Sequence, residues 1–106
     1  MTKLELEKLN EAFESYCLRE YEDTVDIEEN EYGIFYSDYE DEDRYAEIEV
    51  KLYANDHDCE YVCWVDGKQK YSEHVTYEQA IAELESCSFD DFYSYFCDES
   101  GLTFDE

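Results

Sequence analysis

Cys59-Glu60-Tyr61-Val62-Cys63-Trp64-Val65-Asp66-Gly67-Lys68-Gln69-Lys70-Tyr71-Ser72-Glu73-His74 is the stretch on which the fold turns. Runs rich in β-branched and aromatic residues flank Asp66-Gly67, a dipeptide suited to a type I′ turn because that turn needs positive φ at both positions. A two-residue turn fixes the register: Val65 faces Lys68, Cys63 faces Lys70, Tyr61 faces Ser72 and Cys59 faces His74. Upstream, Tyr45–Tyr53 alternates Ile48, Val50 and Leu52 with Glu47, Glu49 and Lys51, the pattern of a half-buried strand. Tyr32–Tyr36 reads as another strand. Before it, across the polar turn Glu29-Asn30-Glu31, Val25 and Ile27 alternate with Asp26 and Glu28.

Helices bracket these strands. Thr2-Lys3-Leu4-Glu5 fits a capping box, in which hydroxyl and carboxylate each take up a free amide. Behind it Leu6, Leu9, Phe13, Tyr16 and Cys17 recur at helical spacing, with Glu5, Lys8, Glu11 and Glu14 on the opposite side. Thr76-Tyr77-Glu78-Gln79 opens a second helix, striped by Tyr77, Ala80, Ile81 and Leu84. Ser88-Phe89-Asp90-Asp91 opens a third, with Phe89, Phe92, Tyr93 and Phe96 inward. Acidic first turns suit the positive end of the helix dipole. The expected fold is α+β: an N-terminal helix, a four- to five-stranded antiparallel sheet and two C-terminal helices, with the helices on one face of the sheet. At 106 residues, with neither repeat nor linker, the chain is one domain, 1–106.

Thirty-two Asp and Glu against seven Lys and Arg leave a formal charge of −25. Acidity on that scale often marks disorder, where too little apolar surface exists to offset ordering entropy. Here 43% of residues are apolar and 18% aromatic, which is enough for a core under a carboxylate coat. Such a coat repels itself and favours a cationic partner over nucleic acid or anionic membrane. No apolar run approaches the ~18 residues of a spanning helix, and acidic residues stand where a signal peptide needs an apolar stretch. The expected location is the cytoplasm. Five cysteines (Cys17, Cys59, Cys63, Cys87 and Cys97) are an odd set for a disulfide framework and read as reduced, mostly buried thiols.

Metal and catalytic sets are weak. Cys59 and Cys63 with His57 and His74 offer zinc-type ligands, but four strand residues place the two thiols ~13 Å apart. Buried thiols beside a surface His are the plainer account. Asp38, Glu40, Glu42 and Glu49 fall at EF-hand positions, yet Asp43 stands where the loop needs Gly. A Cys59–His74 nucleophile pair would sit among carboxylates that favour thiol over thiolate. No phosphate-binding glycine loop is present, and no carboxylate pair stands out. The expectation is therefore a non-enzyme without cofactor or metal. Trp64, on one strand face with Val62 and Tyr71, reads as core. Tyr36, Tyr39, Tyr45 and Tyr53 border acidic residues, where their rings suit an interface receiving Arg.

Charge density gives the partner class. Duplex DNA carries one charge per ~1.7 Å, so a charge of −25 equals roughly 42 Å of duplex. A compact domain of this length spans roughly 33 Å, a comparable density. Pairs such as Glu47/Glu49 and Asp26/Glu28 lie ~6.6 Å apart on a strand face, twice the ~3.4 Å rise per phosphate. A generic solvated surface or adaptation to high salt is the competing account, though salt-adapted chains would be less rich in Tyr and Cys.

In small size, extreme acidity, abundant Tyr and acidic clusters (Ser37–Asp43, Asn55–Asp58, Phe89–Asp91), the chain resembles the DNA-mimic inhibitors of phages and mobile elements, the anti-CRISPR and antirestriction proteins. The likeness covers the whole chain as composition and supplies no aligned motif. It implies a stoichiometric inhibitor, acting in the cytoplasm of a bacterial host, in the DNA- or guide-binding channel of a nuclease such as a CRISPR effector or restriction enzyme. Asp38, Glu40, Asp41, Glu42 and Asp43, expected on a loop between strands, would form the centre of the binding surface. Glu28, Glu29, Glu31, Asp56 and Asp58 would be their neighbours. An acidic adaptor, chaperone or immunity protein for a different basic partner is the alternative.

Overall fold

The Asp66-Gly67 turn forms as its chemistry requires, with φ of 53° and 81°. In the computed structural model, residues 2–21, 30–41 and 44–101 are described; for Tyr21, Asp41 and Arg44 only the backbone is. The order is α1 (Lys3–Tyr21), β1 (Glu31–Asp41), β2 (Arg44–Ala54), β3 (Cys59–Val65), β4 (Lys68–Val75), α2 (Tyr77–Ser86) and α3 (Phe89–Glu99). The strands make an open antiparallel meander in the order β1-β2-β3-β4. This is the expected α+β arrangement. The alternation at Val25 and Ile27, with Glu28 and Glu29, lies outside the described residues.

All three capping boxes close. The Thr2 hydroxyl accepts from Glu5 N at 3.1 Å while the Glu5 carboxylate accepts from Thr2 N at 2.8 Å. Thr76 with Gln79 and Ser88 with Asp91 do the same. The C-terminus of α2 has no basic residue in its last turn. Arg19 of α1 supplies the charge, donating to the carbonyls of Leu84 (3.0 Å) and Cys87 (2.6 Å). A cation is stabilised there by the dipole and by the otherwise unsatisfied carbonyls.

One face of the sheet takes the helices. Ala46, Ile48, Val50 and Leu52 of β2 and Cys59, Tyr61, Cys63 and Val65 of β3 join Leu9, Phe13, Tyr16 and Cys17 of α1 in one core cluster. Helix α3 contributes Phe92 and Phe96, whose rings sit 6.0 and 5.4 Å from that of Tyr61. Phe35 meets Phe89 and Tyr93 at 5.4 and 5.6 Å. The buried phenol of Tyr16 donates to the Ile34 carbonyl, and that of Tyr32 to Asn10 Oδ1.

Three expectations fail here. Asp38–Asp41 are not loop: they continue β1 to its pairing of Asp41 with Arg44, while Glu42 and Asp43 lie outside the described residues. The reason is Tyr39, only 8% exposed and part of the core. Burying such a ring contributes about 1.5–3 kcal/mol, whereas placing Asp38 opposite Glu47 costs on the order of 1 kcal/mol or less. The strand therefore runs through the acidic cluster, and Tyr39 is lost to any interface. Second, the hairpin register holds only for Val65↔Lys68 and Trp64↔Gln69; a bulge then sets Cys63 opposite Tyr71, Tyr61 opposite Glu73, and Cys59 opposite Val75. A bulge places two residues of one strand against one of the other and re-aims the side chains beyond it. Third, Trp64 is not in the core: with Val62 it is on the other face of the sheet, half-buried, and Tyr71 is on the helix face opposite Cys63.

Candidate functional site

The pleat that sends Ile48, Val50 and Leu52 inward sends Tyr45, Glu47, Glu49, Lys51 and Tyr53 to the sheet face without helices, since successive strand residues alternate. Pairing extends this into a lattice. Glu40 lies opposite Tyr45, Asp38 opposite Glu47, and Tyr36 opposite Glu49, which has Trp64 on its other side. Beyond them Gly33, Lys51 and Val62 form a row, and then Glu31, Tyr53, Glu60 and His74. Neighbouring strands stand ~4.8 Å apart and same-face residues ~6.6 Å apart along a strand. The carboxylates of Asp38, Glu40, Glu47 and Glu49 thus occupy adjacent points of a regular grid at the β1–β2 end.

Phenols hold this grid. Tyr36 and Tyr45 are 63% and 58% exposed, high for such large rings. The Tyr45 hydroxyl donates to Asp38 Oδ1 at 3.0 Å. Tyr36 is hydrogen-bonded to Glu47. These bonds, more than the surrounding negative charge, push both phenols above their ordinary pKa, so they stay protonated donors. Each clamps its carboxylate from the side, fixing an acceptor without neutralising it.

Lys51 bounds the grid. Its ammonium lies 2.6 Å from Glu31 Oε1 and 4.0 Å from Glu49, and 6.0 Å from the centre of the Trp64 ring. The bond to Glu31 is the largest cause of its raised pKa. Tyr53 packs edge-on to Trp64 at 6.4 Å. At the far end His74 Nδ1 is 3.1 Å from Asp58 Oδ2, and Nε2 is 3.8 Å from Glu60. Asp58 is held below the usual carboxylate range by the Asn55 amide first and by His74 second. Lys68 and Lys70 are exposed at the hairpin end.

Of the residues singled out from sequence, Asp38, Glu40 and Glu31 lie on this face, Glu31 already paired with Lys51. Asp41 ends β1. Asp56 and Asp58 lie in the connection from β2 to β3, where Asp58 engages His74. Glu28, Glu29, Glu42 and Asp43 are outside the described residues. Glu47 and Glu49, noted in the sequence as a phosphate-spaced pair but not placed on the expected binding surface, lie on this face too, as does Glu60. The signal for Glu47 and Glu49 was present in the alternation of Tyr45–Tyr53 once all helices are assigned to the opposite face.

The Cys59–His74 pair does not exist. The bulge puts His74 opposite Glu60 on the open face, while Cys59 is buried on the other, its thiol pushed up to about 11 by burial. Cys17, Cys59, Cys63 and Cys97 are buried and Cys87 is half-buried, none of them in a disulfide. Among the described residues no set of three His, Cys, Asp or Glu is arranged to hold a metal ion, and no helix is long and apolar enough to cross a membrane.

No family model matches the chain, and neither a curated protein nor a solved structure matches it. The functional assignment accordingly stands on the open face alone. Its chemistry is that of an acceptor surface: fixed anions at regular spacing, interleaved with exposed aromatic rings, suited to guanidinium and ammonium groups.

Proposed function

We propose that this protein is a stoichiometric inhibitor that imitates nucleic acid, offering its open sheet face to the basic DNA- or guide-binding channel of a nuclease, as anti-CRISPR and antirestriction proteins do. The observation that carries this is the phenol-clamped grid of Asp38, Glu40, Glu47 and Glu49 on a rigid sheet, with Tyr36 and Tyr45 standing between the carboxylates. Arg side chains would pair with the carboxylates, bidentately where geometry allows, and stack on the exposed rings. Charge density supports it too. A formal charge of −25 over 106 residues is an acidic coat that favours a cationic, nucleic-acid-binding partner surface.

Capture from a bacterial lysate on the immobilised protein, with and without competing duplex DNA or RNA, tests it. A nucleic-acid-binding protein retained at moderate salt, released by the nucleic acid and inhibited in cleavage at equimolar protein is the expected result. Retention of a basic protein that nucleic acid does not displace would point instead to an adaptor, chaperone or immunity role. A mobility shift of DNA by the purified protein alone would overturn the mimic.

A further inference from the structure

On the opposite side of the sheet, the bulge in the β3–β4 hairpin has a second effect. It turns Glu73 and Tyr71 of β4 towards the helices, opposite Tyr61 and Cys63. Edge strand β4, helix α2 from Gln79 to Glu83 and the face of α3 then border a half-open cavity of about 240 Å³. Its inner wall is apolar and aromatic, formed by Tyr61, Val75, Phe92 and Phe96. Around the mouth stand Glu73, Glu83 and Asp91 beside the ring of Tyr95, and no lining residue is basic.

The carboxylates are positioned rather than loose. Glu83 Oε1 accepts from the Tyr61 phenol at 2.9 Å, and Glu73 Oε1 accepts from the Tyr95 phenol at 2.9 Å, with Tyr71 and Tyr95 joined at 3.1 Å. Asp91 is engaged through the capping box of α3. None of the three has an ion-pair partner among the described residues. Arg19 is committed to Glu20 and to the carbonyls of Leu84, Glu85 and Cys87 at the end of α2. An aromatic-walled recess with fixed, cation-free carboxylates at its mouth is chemically a receptor for a cation with an apolar stem.

We propose that this cavity binds one guanidinium or alkylammonium group carried on a short apolar stem, held by Glu73 and Glu83 against the rings of Tyr61, Tyr95 and Phe96. The volume fits one such group and is below the ~300–1,000 Å³ of sites for larger ligands. Burial raises the Glu83 carboxyl above its ordinary pKa, with Glu73 adding to the effect. A bound cation would relieve that by replacing lost solvation with an ion pair. The site lies on the helix side of the sheet and does not depend on the open face being an interface.

Nuclear magnetic resonance titration with butylguanidinium and butylammonium, against neutral butylurea as isostere, tests the proposal. The cations should give saturable shifts at Tyr95 and Phe96 below ~10 mM, and butylurea none. The single Trp64, beside Glu49 on the open face, reports separately any cation binding there. Replacing Glu83 with Gln keeps an acceptor for Tyr61 and should weaken cation binding by roughly tenfold, the effect of losing one charge-assisted bond; Glu73→Gln is the parallel variant should the first fail to fold. Glu47→Gln should leave it unchanged. Binding of capped arginine amide as well as the free amines would identify a partner's side chain as the natural occupant, and binding of the free amines alone a small metabolite. Absence of saturation, equal binding of butylurea, or equal binding by Glu83→Gln and Glu73→Gln would overturn it.

Discussion

Neutralising Asp38, Glu47 and Glu49 together, as Asp38→Asn, Glu47→Gln and Glu49→Gln, separates a localised acidic site from mere net charge. The amides keep acceptors for Tyr45 and Tyr36, so the sheet is retained while three charges are lost. The control is Glu7→Gln, Glu11→Gln and Glu14→Gln, three exposed residues of α1 on the helix side, with the same final net charge. At ~4 Å in water an ion pair is worth about 1 kcal/mol. Three such pairs lost from the interface therefore weaken binding by about 3 kcal/mol, on the order of a hundredfold. The control charges project from the helix side, away from the open face, in a molecule at least 21 Å across in every direction. That exceeds two Debye lengths of ~8 Å at physiological salt, so their loss should change affinity by less than roughly twofold. Surface plasmon resonance against the captured target, reading association and dissociation separately, supplies the measurement. Equal weakening by both triples would mean that only total charge matters. No weakening by either would remove the open face as the interface.

The melting temperature should rise between ~10 and ~300 mM salt as the screening length falls from about 30 Å to below 8 Å and self-repulsion is relieved; a fall would show the carboxylates to be largely paired internally. Because burial raises the folded-state pKa of Glu83, the native state holds its proton to higher pH than the unfolded chain, and keeping the carboxylate ionised at neutral pH costs stability. Glu83→Gln should accordingly melt higher than the parent at pH 7, with the difference shrinking as pH falls through the raised pKa; a variant that melts lower at pH 7 would contradict this. Burial pushes Cys59, Cys63 and Cys97 from 9.0 to about 11, about a hundredfold less thiolate at neutral pH. Iodoacetamide should therefore label half-buried Cys87 first by peptide mass mapping, and equal labelling of Cys59 would count against the packed core.

Local chemistry determined much of this molecule from sequence. The capping boxes at Thr2, Thr76 and Ser88 and the Asp66-Gly67 turn are each decided within about four residues, by hydrogen bonds and φ preferences that need no distant partner. The alternation in Tyr45–Tyr53 likewise fixed which side chains share a face. What tertiary structure decided was which face stays open and how far each strand runs. The acidic stretch Asp38–Asp41 reads as loop by composition, and only the docking of Tyr39 into the core extends β1 through it. The bulge between Cys63 and Trp64 has no local signature, because it depends on fitting Tyr71 and Glu73 beneath α3 as well as on the turn. That single slip separated His74 from Cys59. Charge and aromatic content underlie the proposed kind of partner, whereas the positions that would meet it depend on how the two faces of the sheet are packed, which pairwise sequence spacing does not encode.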